Sequence, residues 1–284
     1  MGIPELDVAG FKLFSQERRE YSFVNTEVAP NVEYAFHALA LDEERKAFSP
    51  TIWEYPSAES PGRLKTLRQC WFPGVHSSIG GGYADTSIAD ISLAWMMTQL
   101  QPMLTFDPGF IAIVQSKNET FYHQQDEPVK SWALGQIRKS DAGAINAITG
   151  RQARTPGTYH AIDSETGRPK DRLLTNTCEF MHPSVRYRIE QKGLGLATSD
   201  KSPGHGQYDP QALEDWIFVP PGEIPAADRR LDLSHAEKWR DHGRWARRLQ
   251  DGSSVFIVED RIQPDTAEMA LLDRWPGVAE QVLK

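Results

Sequence analysis

The stretch from Cys70 to Tyr83 constrains the fold of this chain more than any other part of the sequence. It begins with three apolar residues, turns at Pro73-Gly74, presents His76 and passes through Gly80–Gly82 into a strongly apolar segment. A strand, a turn and a helix in this order are typical of open α/β sheets, where functional groups gather beyond the carboxyl ends of the strands. His76 stands where such a group is expected.

The preceding apolar run ends in a carboxylate. Residues Tyr34–Leu41 are almost uniformly apolar and stop at the charged stretch Asp42–Arg45. Such a run predicts a strand or short helix buried on both sides. Because Leu67–Phe72 predicts the next short strand, Asp42 follows one strand and His76 follows the next.

A helix is predicted after the glycines. Ser87 with Asp90 three residues later resembles a capping box. A stripe at helical spacing then predicts a mostly buried helix; it consists of Leu93, Met96, Leu100 and Met103, with Ile91 and Trp95 beside it. Such a stripe is more often core than a cofactor site. A further short helix is expected over Trp132–Lys139.

Two signals mark the last part of the chain. Asp251-Gly252 separates the apolar runs Trp245–Leu249 and Val255–Val258, which predicts a β-hairpin. A helix is then expected to open at Pro264 and to run through Leu272. No internal repeat or low-complexity tract is present.

Composition narrows the function classes. The 284 residues are 39% apolar and 25% charged, as in soluble globular proteins, and the sequence shows neither a membrane-length apolar run nor a signal peptide. A formal charge of −8 argues against nucleic-acid binding. The spacing of Cys70 and Cys178 fits neither a metal pair nor a disulfide framework, so a reduced, cytoplasmic protein is expected. No motif indicates a metal or a cofactor.

One segment is locally basic. Residues 130–172 contain eight basic and four acidic side chains. This surplus can meet anionic headgroups in a peripheral membrane contact, or it can balance acidic neighbours elsewhere in the fold. The second interpretation is favoured.

Asp42 and His76 fit two places of a hydrolytic triad. In such a triad the carboxylate holds one imidazole nitrogen, so that the other nitrogen can take a proton from a serine. The alternatives are a cap or strand-ending charge for Asp42 and a turn histidine for His76. Gly80–Gly82 can form an anion-binding nest, but a tight turn is the favoured interpretation. His182 is a reserve candidate.

The nucleophile of such a triad is missing. No Gly-x-Ser-x-Gly occurs in the 284 residues, and only 41 residues precede Asp42. These are too few for a strand, a nucleophile elbow, a helix and a second strand of normal length. Ser77 and Ser78 are too close to His76 in sequence to be assumed nucleophiles.

Two longer motifs carry a family resemblance. Phe36–Arg45, with the sequence FHALALDEER, and Trp71–Tyr83, with the sequence WFPGVHSSIGGGY, resemble α/β hydrolases related to type VI secretion phospholipase effectors. The resemblance covers roughly residues 1–104. It implies a serine hydrolase acting on lipid esters, with Asp42 as acid and His76 as base. Complete members carry a Gly-x-Ser-Arg-Gly elbow upstream, and many have aspartate where Ser78 stands.

The resulting prediction is an incomplete α/β-hydrolase fold. Its last core strands and helices are expected in residues 1–104, and a family-specific region of helices, loops and a hairpin, packed on them, in residues 105–284. A phospholipase-like chain of this kind is expected to be inactive until an N-terminal half completes its lipid-ester site, as in a truncated gene product. The alternative is a non-catalytic interaction module that retains the fold and binds a partner or a membrane surface.

Overall fold

A six-stranded sheet lies at the centre of the protein. The computed structural model describes residues 7–8, 11–12, 28–56, 62–140, 150–163, 169–198, 203–222 and 241–283. Its strands are β1 (Asp7–Val8), β2 (Phe11–Lys12), β3 (Tyr34–Ala40), β4 (Thr66–Phe72), β5 (His160–Ile162), β6 (Pro169–Leu173), β7 (Glu179–Met181), β8 (Ile217–Val219), β9 (Arg244–Arg248) and β10 (Ser254–Glu259). The central sheet has the order β3-β4-β7-β10-β9-β8, and β1-β2 and β5-β6 form separate antiparallel pairs.

Most of the central sheet is parallel. Strands β3, β4, β7 and β10 run in one direction, whereas β9 and β8 are antiparallel to their neighbours. The helices are α1 (His76–Gly80), α2 (Ser87–Leu100), α3 (Phe110–Gln124), α4 (Pro183–Glu190), α5 (Ala267–Leu272) and α6 (Pro276–Val282), with short 3-10 turns at Lys46–Phe48 and Gln211–Leu213. The predicted α/β class is therefore confirmed at the level of a mixed fold with a mostly parallel sheet.

Each face of the sheet carries its own hydrophobic core. Successive residues of a strand point to opposite faces, so Cys70 and Phe72 pack with Trp95 of α2 and Leu272 of α5 on one face. Trp71, between them in sequence, packs on the other face; its cluster there includes Leu39, Met181, Trp245 and Ile257. Burial on both faces explains why β4 reads as an uninterrupted apolar run.

Strand β3 differs from its prediction in burial. Of the two predicted elements, a strand or a short helix, the strand is confirmed. Several of its residues are only half-buried, however, and not buried on both sides. Among the described residues β3 pairs with β4 alone, so it forms an edge of the sheet. An apolar parallel strand at a sheet edge is unusual, because parallel sheets are normally covered by further structure.

Helix α2 begins and packs differently from its prediction. Its N-cap is Thr86, whose hydroxyl donates to Asp90 at 2.9 Å, so Ser87 is the first helical residue and not the cap. The buried face carries Ile88, Ile91, Ala94, Trp95 and Met97, whereas the expected core stripe is half-buried or exposed. Apolar residues lie on both sides of this helix, so their spacing alone predicted the wrong face to be the buried one.

Of the remaining elements, two were predicted correctly, one prediction is wrong, and one observed helix was not predicted. The hairpin is confirmed, since β9 and β10 pair across Asp251-Gly252, and α5 lies within the helix expected to end at Leu272. The helix expected over Trp132–Lys139 is wrong, because this segment is irregular. Helix α3 was missed, since only Ile111, Asn118 and Tyr122 of it are buried and such a helix carries little periodic signal.

The sheet draws on both halves of the chain. Strands β3 and β4 lie before residue 104, whereas β7, which pairs with β4, and β10, β9 and β8 lie after it. The division into residues 1–104 and 105–284 stays a prediction. No helix among the described ranges has the length and apolar character needed to cross a membrane.

Candidate active site

A cavity of about 770 Å³ opens beside the edge strand β3 and includes the predicted base. Five consecutive residues of β3, Phe36–Ala40, form one wall, and helix α2 contributes another. The polar and ionisable residues of its lining include His37, Glu43, His76, Asp90 and Arg154. The cavity therefore lies along β3 and reaches the segments that follow the carboxyl ends of β3 and β4, from which Glu43 and His76 enter its lining.

His76 is the first residue of α1 and is exposed to solvent. Its imidazole packs against the ring of Phe48, with the ring centroids 5.0 Å apart. Its backbone N–H donates to the carboxylate of Glu43 at 3.2 Å. The histidine is thus held through its main chain, and its side chain faces the cavity from an exposed position.

Asp42 follows β3 and is buried. Its Oδ2 accepts hydrogen bonds from the backbone N–H of Gly74 at 2.6 Å and from the hydroxyl of Tyr208 at 2.8 Å. Burial raises the pKa of this carboxyl to about 6, although both hydrogen bonds and the charge of Arg188 act in the opposite direction. Asp42 therefore fixes the turn that leads from β4 to His76.

Glu43, the next residue, is a site residue that the sequence reasoning missed. It is 1% exposed, and its carboxylate accepts from the backbone and guanidinium of Arg45, from the hydroxyl of Ser140 and from the backbone of His76. Burial would raise the pKa of Glu43, but these hydrogen bonds outweigh it and lower the pKa to about 2. Glu43 is thus an ionised carboxylate in the cavity wall.

The two predicted triad members meet at the same turn but not through their side chains. Asp42 bonds Gly74, two residues before His76, and no contact joins its carboxylate to the His76 imidazole. Glu43 lines the cavity with His76, whereas Asp42 is absent from the lining. The charged residues Asp42–Arg45 after β3 were the sequence feature that could have indicated Glu43. The sequence could not show which of these carboxylates lines the cavity.

The serines beside His76 lie outside the cavity lining. Ser78 is 3% exposed, and its hydroxyl has no hydrogen-bond partner among the described residues. Its Cβ instead packs beneath the turn at Gly74. Ser78 is therefore a packing residue of this turn.

A second serine and histidine occur in a triad-like order away from the cavity. The Oγ of Ser184 lies 2.7 Å from Nδ1 of His182, and Nε2 of His182 lies 3.1 Å from Glu268. Nδ1 also accepts the backbone N–H of Ser184, which makes His182 the N-cap of α4. Since His182 and Ser184 are both 0% exposed, no substrate reaches them, and the cluster satisfies buried polar groups.

The basic segment is partly neutralised within the fold. Four ion pairs join its side chains to acidic residues: Lys130 to Glu127, Arg151 to Glu44, Lys170 to Asp163 and Arg172 to Glu54. Arg138 stacks over the ring of Tyr83, and Arg168 lies outside the described residues. The described ranges contain no cluster of three or more His, Cys, Asp or Glu side chains that could hold a metal ion.

Comparison with known proteins identifies one family. Residues 1–99 match the model of the family described as T6SS, Phospholipase effector Tle1-like, catalytic domain. The match spans about a third of the 284 residues and includes Asp42, Glu43 and His76. No curated protein and no solved structure matches the chain. The resemblance predicted from the two motifs is confirmed for this part of the chain.

Proposed function

We propose that this chain carries the acid and base of a serine hydrolase that acts on lipid esters, in the manner of a phospholipase. In this proposal His76 is the general base and Asp42 is the acid that orients it. The observation that carries the proposal is the cavity beside β3, which is lined by His76 within a stretch matching a phospholipase catalytic-domain family.

The chemistry assigned to Asp42 depends on its second oxygen. Both hydrogen bonds to this carboxylate reach Oδ2, and Oδ1 accepts none from the described residues. We propose Oδ1 as the atom that accepts a ring N–H of His76, once the exposed side chain of His76 turns toward it. Such a contact would fix the imidazole tautomer and stabilise the imidazolium formed during acyl transfer.

Glu43 takes a positioning role in the proposal. Its carboxylate fixes the backbone of His76, and its own position is fixed by Arg45 and Ser140. A base held by a rigid main chain keeps its reach to a nucleophile constant, which is worth several orders of magnitude in rate when the geometry is right.

The nucleophile is proposed to come from outside these 284 residues. The sequence contains no Gly-x-Ser-x-Gly, and no serine of the described residues is bonded to His76. The apolar edge strand β3 supports an incomplete α/β-hydrolase sheet, because a further strand along this edge would continue the parallel arrangement. A strand ending beside His76 would place a nucleophile elbow at the cavity.

Ester hydrolysis tests the proposal. The 284-residue chain and a version extended at its amino end to include a Gly-x-Ser-x-Gly elbow are assayed with p-nitrophenyl esters and a phospholipid. We expect activity in the extended form only, and His76→Ala to lower it by at least about 10³-fold. His123→Ala, at an exposed position of α3 outside the cavity lining, is the matched control and is expected to leave the rate unchanged.

Three results would contradict the proposal. Activity in neither form would favour the non-catalytic interaction module. Full activity in the 284-residue chain would show that its nucleophile lies among its own serines, and retention of activity in His76→Ala would remove this residue from the mechanism.

A further inference from the structure

Arg154 is a buried cation in the wall of the candidate active-site cavity. It is only 3% exposed and lies in the lining with Glu43, Phe48 and His76. Its Nη2 donates to the backbone carbonyls of Arg45 at 3.2 Å and of Phe48 at 2.7 Å. These bonds hold the guanidinium beside the residues that carry the proposed base.

Most of the hydrogen-bonding capacity of Arg154 is unused within the described residues. A guanidinium has five N–H donors, and the two bonds to carbonyls both leave from Nη2. Nε and Nη1 donate to no described residue, and neither is among the buried atoms that lack a partner. These donors therefore retain access to solvent or to a ligand in the cavity.

The charge of Arg154 is also left without a direct counter-ion. No carboxylate of the described residues forms a salt bridge with it; Glu43 pairs with Arg45, and Glu44 pairs with Arg151. Of these five side chains, only Glu43 and Arg154 line the cavity, and Glu43 is already paired with Arg45. A buried charge that lacks a partner is costly, so a site that retains one favours an anionic ligand.

The rest of the lining suits an acyl chain. Phe36, Ala38 and Ala40 of β3 and Leu93 and Met96 of α2 all line the cavity, and these side chains are apolar. Gly80, at the end of α1, has ordinary backbone angles, and a Cβ placed there would meet no atom within 4 Å. The cavity therefore combines an apolar wall, an open stretch of backbone and one cation that forms no salt bridge with the described residues.

We propose that Arg154 binds the phosphate of a phospholipid headgroup and thereby selects phospholipids over neutral esters. This assignment rests on the proposed function and adds to it the residue that recognises the phosphate of the substrate. Arginine suits this task because its guanidinium is always charged and presents fixed donors to phosphate oxygens. Arg154 is thus a specificity-determining residue, and the apolar wall holds the ester-linked chains.

Binding to the full 284-residue chain tests the assignment without requiring activity. Isothermal titration compares dihexanoylphosphatidylcholine below its micelle concentration, dihexanoylglycerol and inorganic phosphate. We expect the phospholipid to bind at least about tenfold more tightly than the neutral lipid, a difference in line with one charge-assisted contact. Arg154→Gln is expected to abolish this difference while leaving dihexanoylglycerol binding unchanged, and Arg154→Lys to restore part of it.

The matched control is Arg63→Gln, which removes an exposed arginine far from the cavity lining. If Arg154→Gln does not fold, the wild-type chain still decides, since phospholipid affinity must fall with ionic strength and that of the neutral lipid must not. Equal binding of both lipids, unaffected by Arg154→Gln, would overturn this assignment alone. Binding of neither lipid would overturn this assignment, whereas hydrolysis by the extended form decides the lipid-ester function separately. Arg154-dependent binding of inorganic phosphate as tight as that of the phospholipid would replace the lipid with free phosphate.

Discussion

The carboxylate of Glu43 lies 3.2 Å from the backbone nitrogen of His76, so the residue that follows one strand fixes the start of the helix after the next. Asp42 makes a second attachment to the same turn through the backbone of Gly74. Two consecutive carboxylates thereby position the candidate base. Their pKa values are shifted in opposite directions, since that of Asp42 is raised and that of Glu43 is lowered.

Glu43→Gln is expected to destabilise the fold at neutral pH. The folded-state pKa of Glu43 is about 2, below its ordinary value of 4.5, so its stabilisation is present above pH 4.5 and is lost as pH falls through 2. A shift of this size corresponds to about 3 kcal/mol at pH 7. Urea unfolding from pH 3 to 8 measures it, with Glu44→Gln as the neighbouring control; a pH-independent difference would contradict the expected linkage.

Asp42→Asn is expected to have the opposite effect on stability. The folded-state pKa of Asp42 is about 6, above its ordinary value of 3.8, so the ionised form costs stability that grows as pH rises from 4 to above 6. Replacing the carboxylate removes this cost, and the free energy of unfolding should rise by up to about 3 kcal/mol at pH 8 and little at pH 4.

The gain in stability of Asp42→Asn should be accompanied by a loss of catalytic activity. In the extended, active form, Asp42→Asn is expected to lower ester hydrolysis by about 10³-fold or more, because the amide cannot stabilise an imidazolium. Urea unfolding and hydrolysis rates on the same preparation separate the two effects. An Asp42→Asn variant that is less stable at pH 8, or that keeps its rate, would refute the corresponding half of this prediction.

Gly74→Ala is expected to destabilise the turn that carries His76. Gly74 has φ +119°, and a Cβ there would lie 2.6 Å from the Cβ of Ser78. Strain and overlap together should cost about 2–4 kcal/mol in thermal or urea unfolding. Gly80→Ala, where neither condition applies, is the matched control and should be nearly neutral; equal losses at the two positions would contradict the argument.

Ser184→Ala should separate the buried triad-like cluster from catalysis. Removing the hydroxyl bonded to His182 is expected to cost about 1 kcal/mol of stability, as for one buried hydrogen bond. Hydrolysis by the extended form should not change, in contrast to the effect of His76→Ala. A rate loss in Ser184→Ala at unchanged substrate binding would place this serine in the reaction.

Short-range patterns in the sequence predicted the strands before Asp42 and His76 and the last hairpin correctly. The apolar runs before Asp42 and His76 are adjacent parallel strands, and Asp251-Gly252 closes a hairpin, because strand burial and turn chemistry are encoded within a few residues. Helix α2 exposes Leu93 and buries Ile91, a choice set by the strands and by α5, which lie far away in sequence.

The candidate site was predictable only in part. His76 follows from its position after a strand, but Glu43 and Asp42 are equivalent in sequence, and only the fold shows which one lines the cavity. Arg154 and Tyr208 join the site from residues more than 100 positions away from Asp42 and carry no motif. Long-range contacts of this kind leave no periodic trace in a single sequence.

The pairing of β7 with β4 determines which fragments of the chain can fold by themselves. A fragment ending at residue 99, where the family match stops, would end inside α2 and lack the strand that covers β4. Among the described residues, such a fragment would leave both edges of the β3–β4 pair without a partner strand and would expose much of the Trp95 core to solvent. The segment that matches the family, residues 1–99, is therefore shorter than the smallest segment of this chain that can fold by itself.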